Sequence, residues 1–217
     1  MIEHVCRRAA AAPSVGAVVV ATDDARIAEA VEAFGVIAWL TGAGHRSGSD
    51  RLAEVASALT SPIIVNVQGD EPLVQPAMIE EAVAPLLADP SITMTTLRRR
   101  LVDAADRSDP NVVKVVVDRE GFALYFSRAP VPFARHEAAP ADAGPWKHIG
   151  LYAYRREFLL TFAALPPSPL ELTESLEQLR ALEHGYRIKT VETAWDSVGV
   201  DTPADLEKVR RLLAAGP

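Results

Sequence analysis

The stretch Ser61 to Pro72, SPIIVNVQGDEP, limits most strongly what this chain can fold into. Ile63, Ile64, Val65 and Val67 form a short run rich in β-branched side chains, the composition of a strand covered on both faces. The run stops at Gln68-Gly69-Asp70-Glu71-Pro72, where glycine permits a sharp turn and proline forbids a regular strand beyond it. Two adjacent carboxylates therefore stand at the carboxyl end of a buried strand, the edge at which open α/β sheets bind ligands.

Strand-like and helix-like stretches alternate around this run, which predicts an α/β fold with a mostly parallel sheet flanked by helices. Ala17 to Thr22 reads as a strand, Asp23 and Asp24 as caps of a helix carrying Ile27, Val31 and Phe34, and Gly35 as its stop. Val36 to Leu40 reads as a second strand. Leu52, Val55, Ala56 and Leu59 mark the next helix, Met78 to Leu87 another, and Ile92 to Leu97 a further strand. The rhythm then changes. Val112 to Val117 and Phe122 to Ser127 are strand runs joined by Asp118-Arg119-Glu120-Gly121, a hairpin signature. A third strand, His148 to Tyr154, follows an Ala/Pro-rich loop from Arg135 to Pro145. A long amphipathic helix is predicted from about Leu170 to His184, closed by Gly185, then a strand at Arg187 to Val191. The final helix has Thr202 as cap, Pro203 in its first turn and Asp205 completing a capping box.

The expectation is one domain over residues 1–217 with an inserted β-rich region at about 112–155. Met1 to Ala11 places Ile2, Val5, Cys6 and Ala9 on one helical face, whereas a doubly wound domain opens with a strand and a loop. We therefore expect the domain to be incomplete at its amino terminus.

Charge and cysteine content narrow the function classes. Lys+Arg of 22 against Asp+Glu of 29 gives a net charge of −7, which argues against a nucleic-acid surface but leaves a small nucleotide open. Cys6 stands alone, so neither an internal disulfide nor a cysteine-based zinc site is expected, and it reads as a small core residue of a protein in a reducing compartment. No apolar run is long enough for a membrane span and the first residues lack the layout of a signal peptide, so the cytoplasm is the expected location.

Gly42-Ala43-Gly44-His45-Arg46-Ser47-Gly48 does not meet the dinucleotide fingerprint. Its third glycine is one residue late, and it follows the second visible strand rather than the first, which disfavours an NAD-dependent dehydrogenase. Ser47, Gly48 and Arg51 around a helix start instead offer N–H groups and a cation to an anion, although a solvated loop fits the composition equally well. Asp70, Glu71 and Asp201 also have plain readings, as turn formers and as a partner of a helix dipole. As a pair, Asp70 and Asp201 suit Mg²⁺, which takes one or two carboxylates along with substrate phosphates. His148 and Tyr152 share one face of their strand; Glu177 and Gln178 by themselves mean only helix propensity.

In this order and spacing, VATDDARIAEAVEAFG, HRSGSDRLAEV, IIVNVQGDEP, NVVKVVVDREGFALYFSRAPVP, HIGLYAYR, PPSPLELTESLEQLRALEHG and VGVDTPADLEKVR resemble the 3-deoxy-manno-octulosonate cytidylyltransferases, the CMP-Kdo synthetases. The resemblance covers essentially the whole chain. It implies a Rossmann-like nucleotidyltransferase fold, a homodimer paired through the inserted β region, and transfer of CMP from CTP to Kdo with release of pyrophosphate, for lipopolysaccharide synthesis in the cytoplasm. It further implies Asp70 and Asp201 as Mg²⁺ ligands with the catalytic role. Gln68, Arg128, Arg135, His148, Tyr152, Glu177 and Gln178 match positions that hold the sugar acid, with Arg135 in a divergent, shortened loop. Ser47, Gly48 and Arg51, read from their own loop, are the candidates for binding the nucleotide. The family's opening strand and its glycine- and lysine-bearing loop have no counterpart in these residues. Alternatives are a cytidylyltransferase for a related sugar acid, such as 8-amino Kdo or a sialic acid, and a truncated, inactive binding form.

Overall fold

A computed structural model describes residues 1–45, 47–135, 144–200 and 202–214. Local chemistry sets most element boundaries. α1 (Ile2–Ala10) buries Val5, Cys6 and Ala9 on one face, as the spacing predicts. β1 (Val19–Thr22) leads into α2 (Ala25–Glu32), whose first turn is capped by Asp24 accepting from Arg26 N at 2.9 Å. Gly35, at φ +82°, ends the following turn in a left-handed conformation that favours glycine. β2 (Ile37–Leu40), α3 (Gly48–Ala58), β3 (Ile63–Asn66), α4 (Pro76–Ala88) and β4 (Met94–Arg100) complete the alternating half. Ser47 caps α3 by accepting from Asp50 N at 3.2 Å.

The second half opens with a short α5 (Ala104–Ser108), then β5 (Lys114–Val117) and β6 (Ala123–Ser127) form the predicted hairpin. Its turn needs Gly121, which sits at φ +80° with room for a Cβ only 3.4 Å from Thr190 O. β7 (Trp146–Arg155) is the long strand of the molecule, followed by α6 (Arg156–Ala164), α7 (Pro169–Glu174), α8 (Leu179–Glu183), β8 (Lys189–Glu192) and α9 (Pro203–Ala214). Thr202 and Asp205 bond reciprocally at the start of α9, as the capping box requires.

The α/β class holds, but the sheet is mixed rather than mostly parallel. Among the described strands only the pairs β1–β2 and β4–β8 are parallel. β7 enters antiparallel, with β4 along one edge and, on the other, β5 at Trp146 and Lys147 and β3 at Tyr152 to Arg155. Odd-numbered β7 residues Ile149, Leu151 and Ala153 pack with Met78, Ile79 and Ala82 of α4. The even residues Tyr152 and Tyr154 face the second core with Phe158 and Phe162 of α6.

β1 and β2 form a separate two-stranded sheet. Among the described residues β1 pairs only with β2 and β3 only with β7, and the two remaining edges border one slot. This slot is a cavity of about 810 Å³, walled by Val18 to Thr22 on one side and by Ile63, Val65 and Val67 on the other, with Cys6 and Ile79 beneath. Cys6 is buried, as expected.

The predicted long helix at 170–184 is two helices. Ser175 adopts φ 52°, ψ 49°, ending α7. Glu174, the last residue of α7, accepts through its carboxylate from Arg128 N at 3.0 Å and Ser127 Oγ at 2.7 Å, tying the helix end to β6. Glu177 and Gln178 therefore lie in the link between α7 and α8 rather than within a helix.

Candidate active site

That break builds the site. The link from Leu176 to Gln178 closes over the even-numbered face of β7, enclosing a cavity of about 280 Å³ lined by His148, Gly150, Tyr152 and Tyr154 below, with Glu177 and Gln178 above. Asn66 and Gln68 at the end of β3, and Gly48 and Ser49 at the start of α3, form the remaining wall. The same Gly48, Asn66 and Gln68 also border the larger slot, so the two cavities adjoin.

The cavity's polar groups are poised rather than satisfied. Glu177 Oε2 accepts from Ser49 Oγ at 2.9 Å, while its buried Oε1 has no hydrogen-bond partner among the described residues. Gln178 Nε2 is buried and unpartnered in the same sense. A buried polar atom left unmade costs on the order of 1–3 kcal/mol, so these two atoms point to a ligand with its own donors and acceptors. Beneath them, Arg180 is buried and grips Glu171 with two guanidinium nitrogens, Nε at 2.8 Å; its Nη2 lies 3.8 Å from Glu177 Oε1.

Burial sets the protonation states of the floor. It pushes the Tyr152 and Tyr154 phenols well up, keeping both neutral donors. It holds the His148 imidazole down to about 3, so the ring is neutral. His148 stacks edge-on against Phe126 at 4.9 Å and tilts over Tyr152 at 5.4 Å.

At the strand end, Glu71 N donates to Gln68 O at 3.2 Å, forming the turn that holds Asp70, which is half-buried. Asp70 O accepts from Val200 N at 3.0 Å, which brings the segment before α9 against this turn. Asp201 lies outside the described residues. Burial raises the Glu71 carboxyl, and the Asp70 charge adds to the rise. Among the described residues no three His, Cys, Asp or Glu side chains converge as a metal cluster. The donors on offer are carboxylate oxygens, the hard ligands that a cation such as Mg²⁺ accepts.

Of the residues expected from sequence, Gln68, His148, Tyr152, Glu177, Gln178 and Gly48 meet at one cavity. Arg128 does not. Its guanidinium is committed to the carbonyls of Glu174 (2.7 Å), Pro110 (3.0 Å) and Ser175 (3.3 Å), where it pins the α7–α8 link. Arg135 is exposed beyond β6 and does not line the cavity. Ser47 serves as a helix cap, and Arg51 pairs with Asp23 at 2.9 Å and Thr41 Oγ1 at 2.7 Å while bordering the slot. Sequence reasoning missed Ser49, Asn66 and Tyr154. Asn66 was detectable as the one polar residue inside the apolar run IIVNV.

The fold is shared with solved structures of other proteins. It matches a 4-diphosphocytidyl-2C-methyl-D-erythritol synthase from Anaerococcus prevotii at TM-score 0.62 and 11% identity, over 98% of this chain and 88% of that one. A family model described as cytidylyltransferase matches residues 1–189, and the chain belongs to that family. A protein of Geobacter metallireducens named 3-deoxy-manno-octulosonate cytidylyltransferase is 57% identical over 99% of this chain and 87% of its own length. One of the same name from Syntrophotalea carbinolica is 58% identical over 98% and 88%. A solved structure of CMP:2-keto-3-deoxy-manno-octonic acid synthetase complexed with CTP superposes at TM-score 0.93, with 45% identity, over all of this chain and 88% of that one.

Proposed function

We propose that the protein transfers a cytidylyl group from CTP to the anomeric hydroxyl of Kdo, giving CMP-Kdo and pyrophosphate. The observation that carries this reading is the cavity collecting Gln68, His148, Tyr152, Glu177 and Gln178 beside the Asp70 turn. Its walls suit a polyhydroxylated acid: phenol and amide N–H groups donate, while Glu177 Oε1 accepts. In the reaction the hydroxyl oxygen bonds to the α-phosphorus, the bond to the β-phosphate oxygen breaks, pyrophosphate leaves and the hydroxyl proton passes to solvent. The protein's task is alignment and charge neutralisation. Asp70 and Asp201 would hold Mg²⁺, which when bound neutralises charge on the phosphate oxygens. Gly48 and Arg51 line the adjoining slot, and Ser47 caps the same helix start, where N–H groups of α3 and the Arg51 cation fit an anion.

The test is pyrophosphate release with CTP, Mg²⁺ and Kdo, with 8-amino Kdo and a sialic acid as competitors. Turnover with Kdo exceeding the others by at least about tenfold in kcat/KM is expected; a preference for another acid would transfer the same chemistry to that substrate.

We also read the slot between β1 and β3 as the place of one further strand of the domain. Two open strand edges with apolar walls face each other across it, and a strand between them would satisfy backbone groups on both. Thermal melting of the 217-residue chain beside one extended through upstream in-frame codons checks this. The extended chain should melt more cooperatively and gain stability from CTP; identical melts for the two would overturn it. A cytoplasmic homodimer paired through the β5–β6 region, serving lipopolysaccharide synthesis, completes the reading. Exposed Leu124 and Phe133, 62% and 86% accessible, support such a face. Sedimentation of the wild type against Leu124→Glu tests it, the variant being expected to sediment as a monomer.

A further inference from the structure

The register between β4 and β7 breaks at one place, and a single hydroxyl fills the break. Thr96 aligns with Tyr152 and the next residue, Leu97, with Ile149, so Gly150 and Leu151 bulge out of the ladder. Thr96 Oγ1 lies inside the bulge, 3.0 Å from Ile149 O, 2.9 Å from Leu151 O and 3.0 Å from His148 Nε2. The hydroxyl has one proton and two lone pairs. Both carbonyls can only accept, so the single proton goes to one of them or is shared between the two; if it went to the imidazole, neither carbonyl would receive it in a buried site. Nε2 must then be the donor to Thr96 Oγ1.

We propose that Thr96 is a positioning residue that locks His148 as the Nε2–H tautomer, leaving Nδ1 as a bare acceptor for a hydroxyl of the bound sugar acid. The ring lines the cavity, and among the described residues Nδ1 takes no hydrogen bond from a side chain or backbone. Burial keeps the ring neutral near neutral pH, so Nδ1 holds a lone pair there. His148 thus recognises a donor and disfavours the substrate's carboxylate, which falls to the donors Gln178 Nε2 and Tyr152 OH instead. The bulge, which looks like a local fault in the sheet, is what aims the imidazole.

This inference rests on the proposed sugar-acid site, and one readout stands apart from it. In the ligand-free protein, a two-bond proton–nitrogen correlation spectrum, with His148 assigned through the His148→Gln variant, should give the Nε2–H pattern. Thr96→Val should shift that signal toward the Nδ1–H form or a mixture, and raise KM for the sugar acid about tenfold with KM for CTP unchanged. Thr96→Ser, which keeps the hydroxyl, should restore both and remains informative if the valine variant folds poorly. An Nδ1–H pattern in the wild type, or an unaltered tautomer in a folded Thr96→Val protein, would overturn the proposal. The expected tautomers without turnover of any sugar acid would leave the tautomer lock standing and sink the substrate reading.

Discussion

Val200 N donates to Asp70 O at 3.0 Å, so the turn that ends β3 and the segment that leads into α9 are held together through main chain alone. The Asp70 carboxylate has no part in this bond. Asp70→Asn should therefore leave the melting temperature close to wild type while lowering kcat by about a hundredfold or more, since on the proposed reading it removes a charge that would hold Mg²⁺. Full activity in the asparagine variant, measured as pyrophosphate release, would overturn the proposal that Asp70 holds a metal.

Arg180 anchors the roof of the cavity. Its side chain is 4% exposed and that of its partner Glu171 is 11% exposed. Arg180→Met strands a buried carboxylate and should cost about 3–5 kcal/mol in urea unfolding. Adding Glu171→Leu should recover much of the loss, because the unpaired charge is then gone.

His148 makes stability depend on pH in a defined direction. Burial lowers its folded-state value from 6.5 to about 3, so as pH falls the unfolded chain takes up the proton first. This contribution is fully present above 6.5 and is lost toward 3, at about 1.4 kcal/mol per pH unit. Urea melts across that interval should show His148→Phe losing stability less steeply than wild type; parallel slopes would refute the assignment.

Ser175 is the one described non-glycine residue with positive φ. Ser175→Gly should stabilise the fold by about 0.5–1 kcal/mol, and Ser175→Val should destabilise it by more than about 1 kcal/mol, both read from thermal melts. The glycine variant also tests the broken helix: were 170–184 continuous, glycine there would destabilise.

The features that sequence made legible are those fixed by neighbours along the chain: the Asp24 and Thr202 caps, the Gly35 stop, the Asp118–Gly121 hairpin and the β-branched run into Asp70. What escaped depends on distant partners. The 170–184 stretch carries a continuous helical pattern, and the break at Ser175 follows a helix end tied to distant partners, Tyr125, Ser127 and Arg128, all bonding the Glu174 carboxylate. The antiparallel entry of β7 escaped likewise, because alternation of strands and helices does not encode pairing direction. Arg128 itself was expected at the substrate, yet three carbonyls claim its guanidinium. No local pattern distinguishes an arginine that holds main chain from one that holds a ligand.

The placement of β7 has a consequence for how the molecule opens. Strands lie on both its edges and packed cores on both its faces, so its amide protons should exchange with solvent only when the whole fold comes apart. β1 and β2 share hydrogen bonds only with each other among the described strands and can exchange through a smaller, cheaper opening. The cavity floor should thereby lie on the slowest-exchanging part of the protein, and one wall of the adjoining slot on one of the fastest.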